Sequence, residues 1–495
     1  MASHQSDILG RGTARHVVGE SPQPTVERPL CVDLDGTLIR TDLLTEAVLS
    51  LLKWRPWTLL WLPIWLLRGK ATLKNEIARR AAINPATLPY RVDVLEYLRA
   101  EHAGGRKLVL ATAAAYLYAT QIAAYLGLFS EVFATETVNL KGAHKAKRLT
   151  AAFGVHGFDY VGDSPADLPI VHCAQETLLV APSAGLLRRA NAVGRVLKVF
   201  PGTAQPRATI LRTLRPHQWL KNLLVFVPPV ADHQFGKQTW ALAFLAFLAF
   251  SLTASGLYVL NDLLDIDADR NHPRKKMRSL ASGQMSLGSG ILLAPLLVTA
   301  GFIIALGLSS VFIVTLTFYV VLTLGYSFLL KRLMILDVLV LAGLYTVRLL
   351  GGAAATRIPP SFWLLAFSIF FFLSLALIKR YAELVTLRQH GQVKATGRGY
   401  HVDDFPVLLG LGMASGYSAT VVLALYLNSP VVASLYHDPR ILWLLCPLLF
   451  YWLNRAWLLT HRGEMHDDPV IFAATDRVSL AVWALSAIVL LWAAA

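Results

Sequence analysis

The chain has 495 residues, of which 55% are hydrophobic and only 16% charged, and its formal net charge is +15. A soluble protein of this length carries more charge, so most of the chain is expected to lie in a lipid bilayer. The basic balance does not indicate nucleic-acid binding, because the cations form no compact basic domain with interleaved aromatic residues. Anionic lipid headgroups and phosphorylated ligands are the expected partners. The three cysteines are too far apart for a metal motif and predict neither disulfides nor zinc.

The first part of the chain predicts a soluble α/β domain with a Rossmann-like parallel sheet. Residues 1–28 are polar and predict a flexible cytosolic tail. From residue 29 to residue 200, short apolar runs alternate with helical patterns, as expected for a parallel sheet with helices between its strands. The predicted strands are Leu30–Val32, Leu108–Ala111, Glu131–Phe133, Tyr160–Val161 and Leu178–Val180.

Two carboxylates, Asp33 and Asp35, directly follow the first predicted strand. Parallel α/β sheets bind ligands at the carboxyl ends of their strands. Asp33 is therefore a candidate nucleophile toward phosphorus. Asp35 is a candidate acid that protonates the leaving oxygen and later activates water.

Three later elements supply the remaining parts of a phosphoryl-transfer site. Thr112 follows the second strand and can hold a phosphoryl oxygen, and a lysine, Lys141 or Lys145, can neutralise charge. The run Gly162-Asp163-Ser164-Pro165-Ala166-Asp167 follows the fourth strand, where Asp163 can complete a Mg²⁺ site with Asp33.

These motifs stand in the order of the haloacid dehalogenase-like hydrolase superfamily, which residues 29–200 resemble. The resemblance implies a phosphatase that forms an aspartyl-phosphate at Asp33, and Lys145 is taken as its lysine. The alternative is a fold that has been retained without its activity.

A helical insertion, residues 42–105, lies where this superfamily often carries a cap over the active site. It contains four tryptophans with flanking cations, but it is too short to span a bilayer and is interrupted by Pro56 and Pro63. One interpretation is an interfacial helix that lays the phosphatase against the membrane, within reach of a lipid-linked phosphate. The other is apolar packing within the cap.

The second part of the chain predicts an all-α, multi-pass membrane domain of about nine spans over residues 212–495, after a turn-rich linker at 201–211. Basic residues gather in the loops 270–278, 331–332 and 379–398. The positive-inside rule places these loops and the soluble domain on the cytoplasmic side of the inner or plasma membrane. The predicted spans lie near 219–232, 240–260, 288–308, 311–330, 335–353, 362–378, 406–427, 440–459 and 478–494.

An acidic run, Asn261 to Asp269, closes the second of these apolar segments. On a helix, Asp262, Asp265 and Asp269 fall at i, i+3 and i+7 and share one face, whereas Asp267 points elsewhere. Three hard oxygen ligands suit a Mg²⁺ ion that also binds substrate phosphates. The alternative is a solvated acidic turn. The basic loop that follows either contacts phosphate or only reflects the positive-inside rule.

The membrane motifs resemble the UbiA superfamily of intramembrane prenyltransferases over residues 208–495. The run Arg215 to Asn222 is similar to the family's opening helix, Asn261 to Asp269 matches its N-D-x-x-D-x-x-x-D motif, and Tyr326 to Lys331 resembles its tyrosine–lysine element. The resemblance implies Mg²⁺-assisted departure of a diphosphate, with Asp262, Asp265 and Asp269 as catalytic metal ligands. The substrate-binding residues that it implies here are Lys221, Asn261, Tyr326 and Lys331.

One departure from the family pattern decides the predicted substrate. Most aromatic prenyltransferases carry a second D-x-x-x-D cluster after their sixth helix, where this chain has Lys379-Arg380-Tyr381-Ala382-Glu383. Two cations hold a bare phosphate better than a second Mg²⁺. Lys379, Arg380 and Glu383 are therefore substrate-binding candidates, for the phosphate of either donor or acceptor.

This element is similar to that of the decaprenyl-phosphate phosphoribosyltransferase branch. The resemblance implies transfer of phosphoribose from phosphoribosyl pyrophosphate to a polyprenyl phosphate. The fusion of the two domains suggests a second step, in which the phosphatase removes the 5-phosphate from the product. The main alternative is a prenyltransferase that uses a polyprenyl diphosphate and an aromatic or lipid acceptor. A transporter would bury charges in mid-span and show internal repeats, which this sequence lacks. In a third alternative, the soluble domain is only a scaffold.

Overall fold

The computed structural model describes residues 28–202, 206–272, 274–389, 391, 399–465 and 468–494. The predicted tail lies outside these ranges except for its last residue, as do parts of the predicted linker and of the third basic loop. The chain divides into two compact units. The first, here the sheet unit, runs up to Leu38 and continues over Arg91–Pro201, and the second, the membrane unit, joins Ile39–Tyr90 to the chain from Gly202 onward.

The sheet unit is a six-stranded parallel sheet with helices between the strands, which confirms the predicted α/β class. Its strands are β1 (Leu30–Val32), β2 (Leu108–Ala115), β3 (Glu131–Thr135), β4 (Asp159–Gly162), β5 (Thr177–Val180) and β6 (Val196–Phe200), in the order β3-β2-β1-β4-β5-β6. The strand β6 is an addition to the prediction. It lies at the edge of the described sheet beside β5, three of its five side chains are exposed, and Lys198 interrupts its apolar run, unlike the run of an inner strand.

The helices of the sheet unit pack a dry core against the strands. They span Val92–Ala103, Tyr116–Leu126, Ala143–Phe153, Leu168–Cys173 and Ala184–Val193. Cys31, Val109, Leu149 and Tyr160 lie fully buried in one apolar cluster. Because β1 hydrogen-bonds to both β2 and β4, its carboxyl end lies at the point where the strand order reverses, and the loops after β2 and β4 flank it.

The predicted insertion is divided between the two units. Its last helix, Val92–Ala103, belongs to the sheet unit, whereas residues 39–90, here called the insertion, belong to the membrane unit. The helices of the insertion span Leu43–Trp54, Leu62–Leu67 and Lys70–Ala78, with 3-10 helices at Pro56–Trp61 and Pro85–Thr87.

The insertion docks on the acidic end of the membrane unit through a buried ion pair. Glu46 accepts two hydrogen bonds from Arg270, at 2.9 and 2.6 Å, and each side chain is only 4% exposed. Beside this pair, Leu49 packs in an apolar cluster with Val259 and Leu263.

The tryptophan-rich segment of the insertion, Pro56–Leu67, keeps most of its apolar side chains on the surface. Trp57 is 80% and Leu67 89% exposed, whereas Trp65 is buried beneath the guanidinium of Arg80. Exposure of this kind favours the interfacial-helix interpretation over packing within a cap. Its placement at a bilayer surface stays a prediction.

Among the described residues, eight helices are long and apolar enough to cross a membrane. They span Lys237–Leu264, Leu287–Ala305, Ser310–Phe328, Leu336–Thr356, Phe362–Gln389, Val402–Leu427, Pro439–His461 and Arg477–Ala494. The remaining predicted span, 219–232, is instead a 3-10 helix, Pro216–Phe226, followed by a short α-helix, Val227–Ala231. Pro228 and Pro229 each remove a backbone donor there, which limits a regular helix.

The buried Glu46–Arg270 pair predicts a large stability effect. Glu46→Gln leaves the Arg270 guanidinium buried without a counter-charge, which we expect to cost about 3–5 kcal/mol. The apparent melting temperature of the chain in detergent measures it. The matched control is Glu76→Gln in the same insertion, whose pairs with Arg79 and Arg80 are more exposed and worth about 0–1 kcal/mol. Equal melting temperatures for the two variants would contradict the proposed docking contact.

Candidate active sites

The sheet unit brings its predicted catalytic residues to the carboxyl end of β1. The amide of Asp33 donates to the carbonyl of Val161 at 3.0 Å, which holds the residue between β1 and β4. Asp33 is 8% exposed, and Asp35, two residues on, is half-buried. After β2, the fully buried Thr112 hydroxyl accepts a hydrogen bond from the amide of Ala114 at 3.0 Å.

A tight turn allows the loops to approach one another here. Gly36 has a φ of +78°, and a Cβ atom at this position would collide with the Asp163 carboxylate. Thr37 donates to that same carboxylate at 3.1 Å. The glycine of D-x-D-G-T is therefore needed both for the turn conformation and for the space that Asp163 occupies.

Of the two candidate lysines, Lys145 is the one that lies beside Asp33. Its Nζ lies 2.9 Å from Asp33 Oδ1 and 3.0 Å from the hydroxyl of Tyr160, which in turn donates to Asp167 at 3.0 Å. Burial alone would lower the pKa of Lys145, but Asp33 and Asp167 outweigh it and raise that pKa. Lys141 is exposed.

Three carboxylates of the sheet unit converge as a cation site would require. Asp33, Asp163 and Asp167 each offer an oxygen, and these oxygens lie within 4.8 Å of one another. Burial, together with the charges of Asp33 and Asp167, raises the pKa of Asp163 to about 7. This mutual repulsion is relieved by a bound divalent cation, so the residues present fit Mg²⁺. Asp167 is an addition to the predicted metal ligands Asp33 and Asp163.

In the membrane unit, the acidic run differs in detail from one continuous helix. The Lys237–Leu264 helix ends just before Asp265, and a second helix spans Ile266–Arg270. Asp262 and Asp269 are 6% and 3% exposed, whereas Asp267 is exposed, as expected for a residue outside the site.

Asp262 and Asp269 point at a single positive centre. Nη1 of Arg278 lies 2.9 Å from Asp262 and 2.6 Å from Asp269, and Arg215 forms a second ion pair with Asp262. Two buried carboxylates that share one cationic nitrogen have the donor chemistry and the convergence that a divalent cation needs. Arg278 is thus part of the site and not only a product of the positive-inside rule. Arg215, which the sequence indicates only as part of the opening motif, also belongs to this site.

The third carboxylate, Asp265, is held separately by two lysines. Its Oδ1 lies 2.8 Å from Nζ of Lys53, and its Oδ2 lies 3.0 Å from Nζ of Lys331. Burial alone would raise the pKa of Asp265, but Lys331 and Lys53 lower it. Asn261 is half-buried, and its backbone carbonyl accepts a hydrogen bond from the backbone amide of Asp265.

A second cationic group gathers around Asp468. Lys221 is 6% exposed and pairs with this carboxylate, and Nζ of Lys379 lies 3.7 Å from the same oxygen. Burial alone would raise the pKa of Asp468, but Lys221 and Lys379 lower it to about 2. Two lysines on one carboxylate leave an excess positive charge. The 3-10 helix that carries Lys221 begins directly after Arg215, which forms an ion pair with Asp262 of the acidic run.

Arg380 has a different environment from its neighbour Lys379. Its Nε lies 2.7 Å from Asp337, a second nitrogen pairs with Glu383, and a third donates to the Tyr326 hydroxyl at 3.1 Å. Arg380 and Asp337 are 1% and 0% exposed. Each of the three guanidinium nitrogens has a partner, which favours a positioning role for Arg380 around Tyr326 and Glu383.

Several residues of these sites carried no usable signal in the sequence. Asp337 lies in an apolar helix distant in sequence from Arg380, and Lys53 lies more than 200 residues before Asp265. Only spacing within one element can be read from a single sequence. Pairs that join separate elements appear only once the chain is folded.

Models of two protein families match this chain. Residues 230–480 match the model of the UbiA prenyltransferase family, and residues 30–172 match that of haloacid dehalogenase-like hydrolases. The chain is 39% identical over 469 residues to an uncharacterized Sinorhizobium fredii protein, y4nM, covering 93% of this chain and 90% of that protein. It is 38% identical over 278 residues to the nodulation protein NoeC of Azorhizobium caulinodans, covering 56% and 90% of the two chains.

A third relative has a name that states its activity. The decaprenyl-phosphate phosphoribosyltransferase of Mycolicibacterium smegmatis is 35% identical over 187 residues, which cover 37% of this chain and 59% of that enzyme.

The contrast between Arg380 and Lys379 predicts different outcomes for neighbouring substitutions. Arg380→Met leaves the buried Asp337 carboxylate without a counter-charge and with only the Tyr400 hydroxyl as a donor, at an expected cost of about 3–5 kcal/mol. Lys379→Met is expected to leave the apparent melting temperature nearly unchanged, because its side chain is 33% exposed and Lys221 still neutralises Asp468. Melting of both variants in detergent measures this contrast, and a larger shift for Lys379→Met would contradict the assignment.

Proposed function

We propose, from the premise that the chain belongs to the UbiA prenyltransferase family and carries a haloacid dehalogenase-like hydrolase domain, that it is a membrane phosphoribosyltransferase. Its donor would be phosphoribosyl pyrophosphate and its acceptor a polyprenyl phosphate. The hydrolase domain would then remove the 5-phosphate from the lipid-linked product.

The observation that carries this proposal is the cationic group of Lys221 and Lys379 on the single carboxylate of Asp468. A ligand with a second anionic group, in addition to its diphosphate, complements this excess charge. Phosphoribosyl pyrophosphate with a polyprenyl phosphate supplies two such groups. A prenyl diphosphate with a neutral aromatic acceptor supplies none. The partial match to a decaprenyl-phosphate phosphoribosyltransferase supports the same choice.

Departure of the donor's diphosphate is assigned to the acidic run. Asp262, Asp265 and Asp269 are the residues that would hold Mg²⁺, and the ion when bound neutralises the diphosphate as leaving group. Arg278 and Lys331 lie on these carboxylates and can transfer their hydrogen bonds to phosphate oxygens. The C1–O bond of the donor breaks with its electron pair on diphosphate, and a phosphate oxygen of the acceptor bonds to C1. The acceptor is already anionic, so the step needs no general base.

The second reaction is assigned to the sheet unit. Asp33 attacks phosphorus of the 5-phosphate and Asp35 protonates the departing 5-oxygen. Lys145 keeps Asp33 oriented and neutralises charge on the phosphoryl group. Water that Asp35 deprotonates then hydrolyses the aspartyl-phosphate, which releases inorganic phosphate and restores Asp33. Asp33, Asp163 and Asp167 are the residues that would hold the Mg²⁺ of this site.

The membrane unit belongs to an integral membrane protein, and its orientation is part of the proposal. The acidic run and its cations adjoin the basic loops 270–278 and 331–332. The positive-inside rule puts such loops on the cytoplasmic side, where phosphoribosyl pyrophosphate is soluble and available.

The transferase assignment predicts loss of transfer in Asp262→Asn. Purified protein in detergent with Mg²⁺, labelled phosphoribosyl pyrophosphate and a polyprenyl phosphate should move label into the organic phase. Asp262→Asn removes a buried carboxylate of the site and should lower this rate at least about a hundredfold. Asp267→Asn, the same change at an exposed position of the same run, should be close to wild type. Activity only with a prenyl diphosphate and an aromatic acceptor would refute the assignment.

The hydrolase assignment predicts accumulation of the phosphorylated product in Asp33→Asn. The variant should transfer phosphoribose at the wild-type rate but release no inorganic phosphate from the lipid product, because the nucleophile is absent. Counting phosphate groups on the extracted lipid by mass spectrometry measures this. Asp93→Asn, at an exposed position of the same unit, is the control. Identical lipid products from wild type and Asp33→Asn would indicate that the domain is a scaffold.

A further inference from the structure

The insertion reaches the acidic run of the transferase, although it lies within the sequence of the hydrolase domain. Its Leu43–Trp54 helix is fixed beside the run by the buried Glu46–Arg270 pair. At the other end of this helix, the guanidinium of Arg332 lies 5.0 Å from the ring of Trp54. The helix is thus held at both ends, which sets the position of the residues between them.

Lys53, in the last turn of this helix, is directed at the site. Its Nζ lies 2.8 Å from Asp265 Oδ1, on the carboxylate that also receives Lys331. The side chains of Lys53, Lys331 and Asp265 are 17%, 17% and 18% exposed, against 7% and 5% for Asp262 and Asp269. Asp265 is therefore the most accessible of the three site carboxylates, and its group lies at an edge of the acidic run.

The charge balance at this edge favours an anionic ligand. Two ammonium groups face one carboxylate, so one positive charge is left without a counter-charge from Asp265. A lysine ammonium has three donors and a flexible stem, so it can move from a carboxylate to a neighbouring phosphate oxygen with little rearrangement.

We propose that Lys53 is a substrate-binding residue of the transferase that binds the diphosphate group of the donor, supplied by the insertion in the hydrolase domain. The inference rests on the proposed function for the identity of the donor, but it needs only a diphosphate for the contact itself. It makes the insertion a part of the transferase site.

The test compares the full-length chain with Lys53→Met, using inorganic diphosphate with Mg²⁺ as the binding probe in calorimetry. Loss of a charge-assisted contact should weaken diphosphate binding by about tenfold to a hundredfold. In the transfer assay, KM for phosphoribosyl pyrophosphate should rise similarly, with kcat changed by less than about threefold. Lys53→Arg should recover most of the affinity. Lys70→Met, the same change at an exposed position of the insertion, should behave as wild type.

The outcomes separate this inference from the function on which it rests. If the wild-type chain transfers no phosphoribose but binds diphosphate through Lys53, the proposed function fails and the contact stands. If it transfers phosphoribose and Lys53→Met matches it in KM and in diphosphate affinity, the inference fails alone. A fall in kcat and melting temperature with unchanged diphosphate affinity would also overturn it, because Lys53 would then only support the fold.

Discussion

The membrane unit depends on the pairing of carboxylates that would otherwise be too costly to bury. Burying an unpaired charge away from water costs several kcal/mol, and within a bilayer little water is available to reduce that cost. Asp262, Asp265, Asp269, Asp337 and Asp468 are each paired with at least one arginine or lysine. These pairs connect the helical spans, the loops between them and the insertion, so charge compensation determines which elements meet.

The same pairs explain how a site of this kind can bind an anionic ligand. Around the acidic run and Asp468, the described cations outnumber the carboxylates, so the site without ligand is both compensated and attractive to phosphate. In the proposed function, a lysine or arginine then exchanges a carboxylate oxygen for a phosphate oxygen as its hydrogen-bond acceptor when the ligand binds. A lysine or arginine that has left a carboxylate for a phosphate oxygen frees that carboxylate for a cation. The ion pairs therefore stabilise the fold and also prepare the site.

Adjacent residues can serve these two purposes because a helix turns by about 100° per residue. Arg380 faces the interior of the membrane unit and is held by Asp337, whereas Lys379 is partly open and faces Asp468. Because both side chains are cationic, the sequence alone predicts the same role, phosphate binding, for both. Their different exposures favour a positioning role for Arg380 and, in the proposed function, a binding role for Lys379.

The sequence by itself determined the two fold classes and identified most of the candidate catalytic groups. Five strands, the motifs D-x-D-G-T-L and G-D-x-x-x-D, and the acidic run could be read because each lies within one element, where spacing decides which side chains meet. Only the tertiary structure decided the partners of these groups. Lys53 and Glu46 meet Asp265 and Arg270 across more than 200 residues of chain, and Asp337 meets Arg380 between two apolar helices. Local periodicity carries no information about such contacts, since they follow from how helices pack and from the need to neutralise each buried charge.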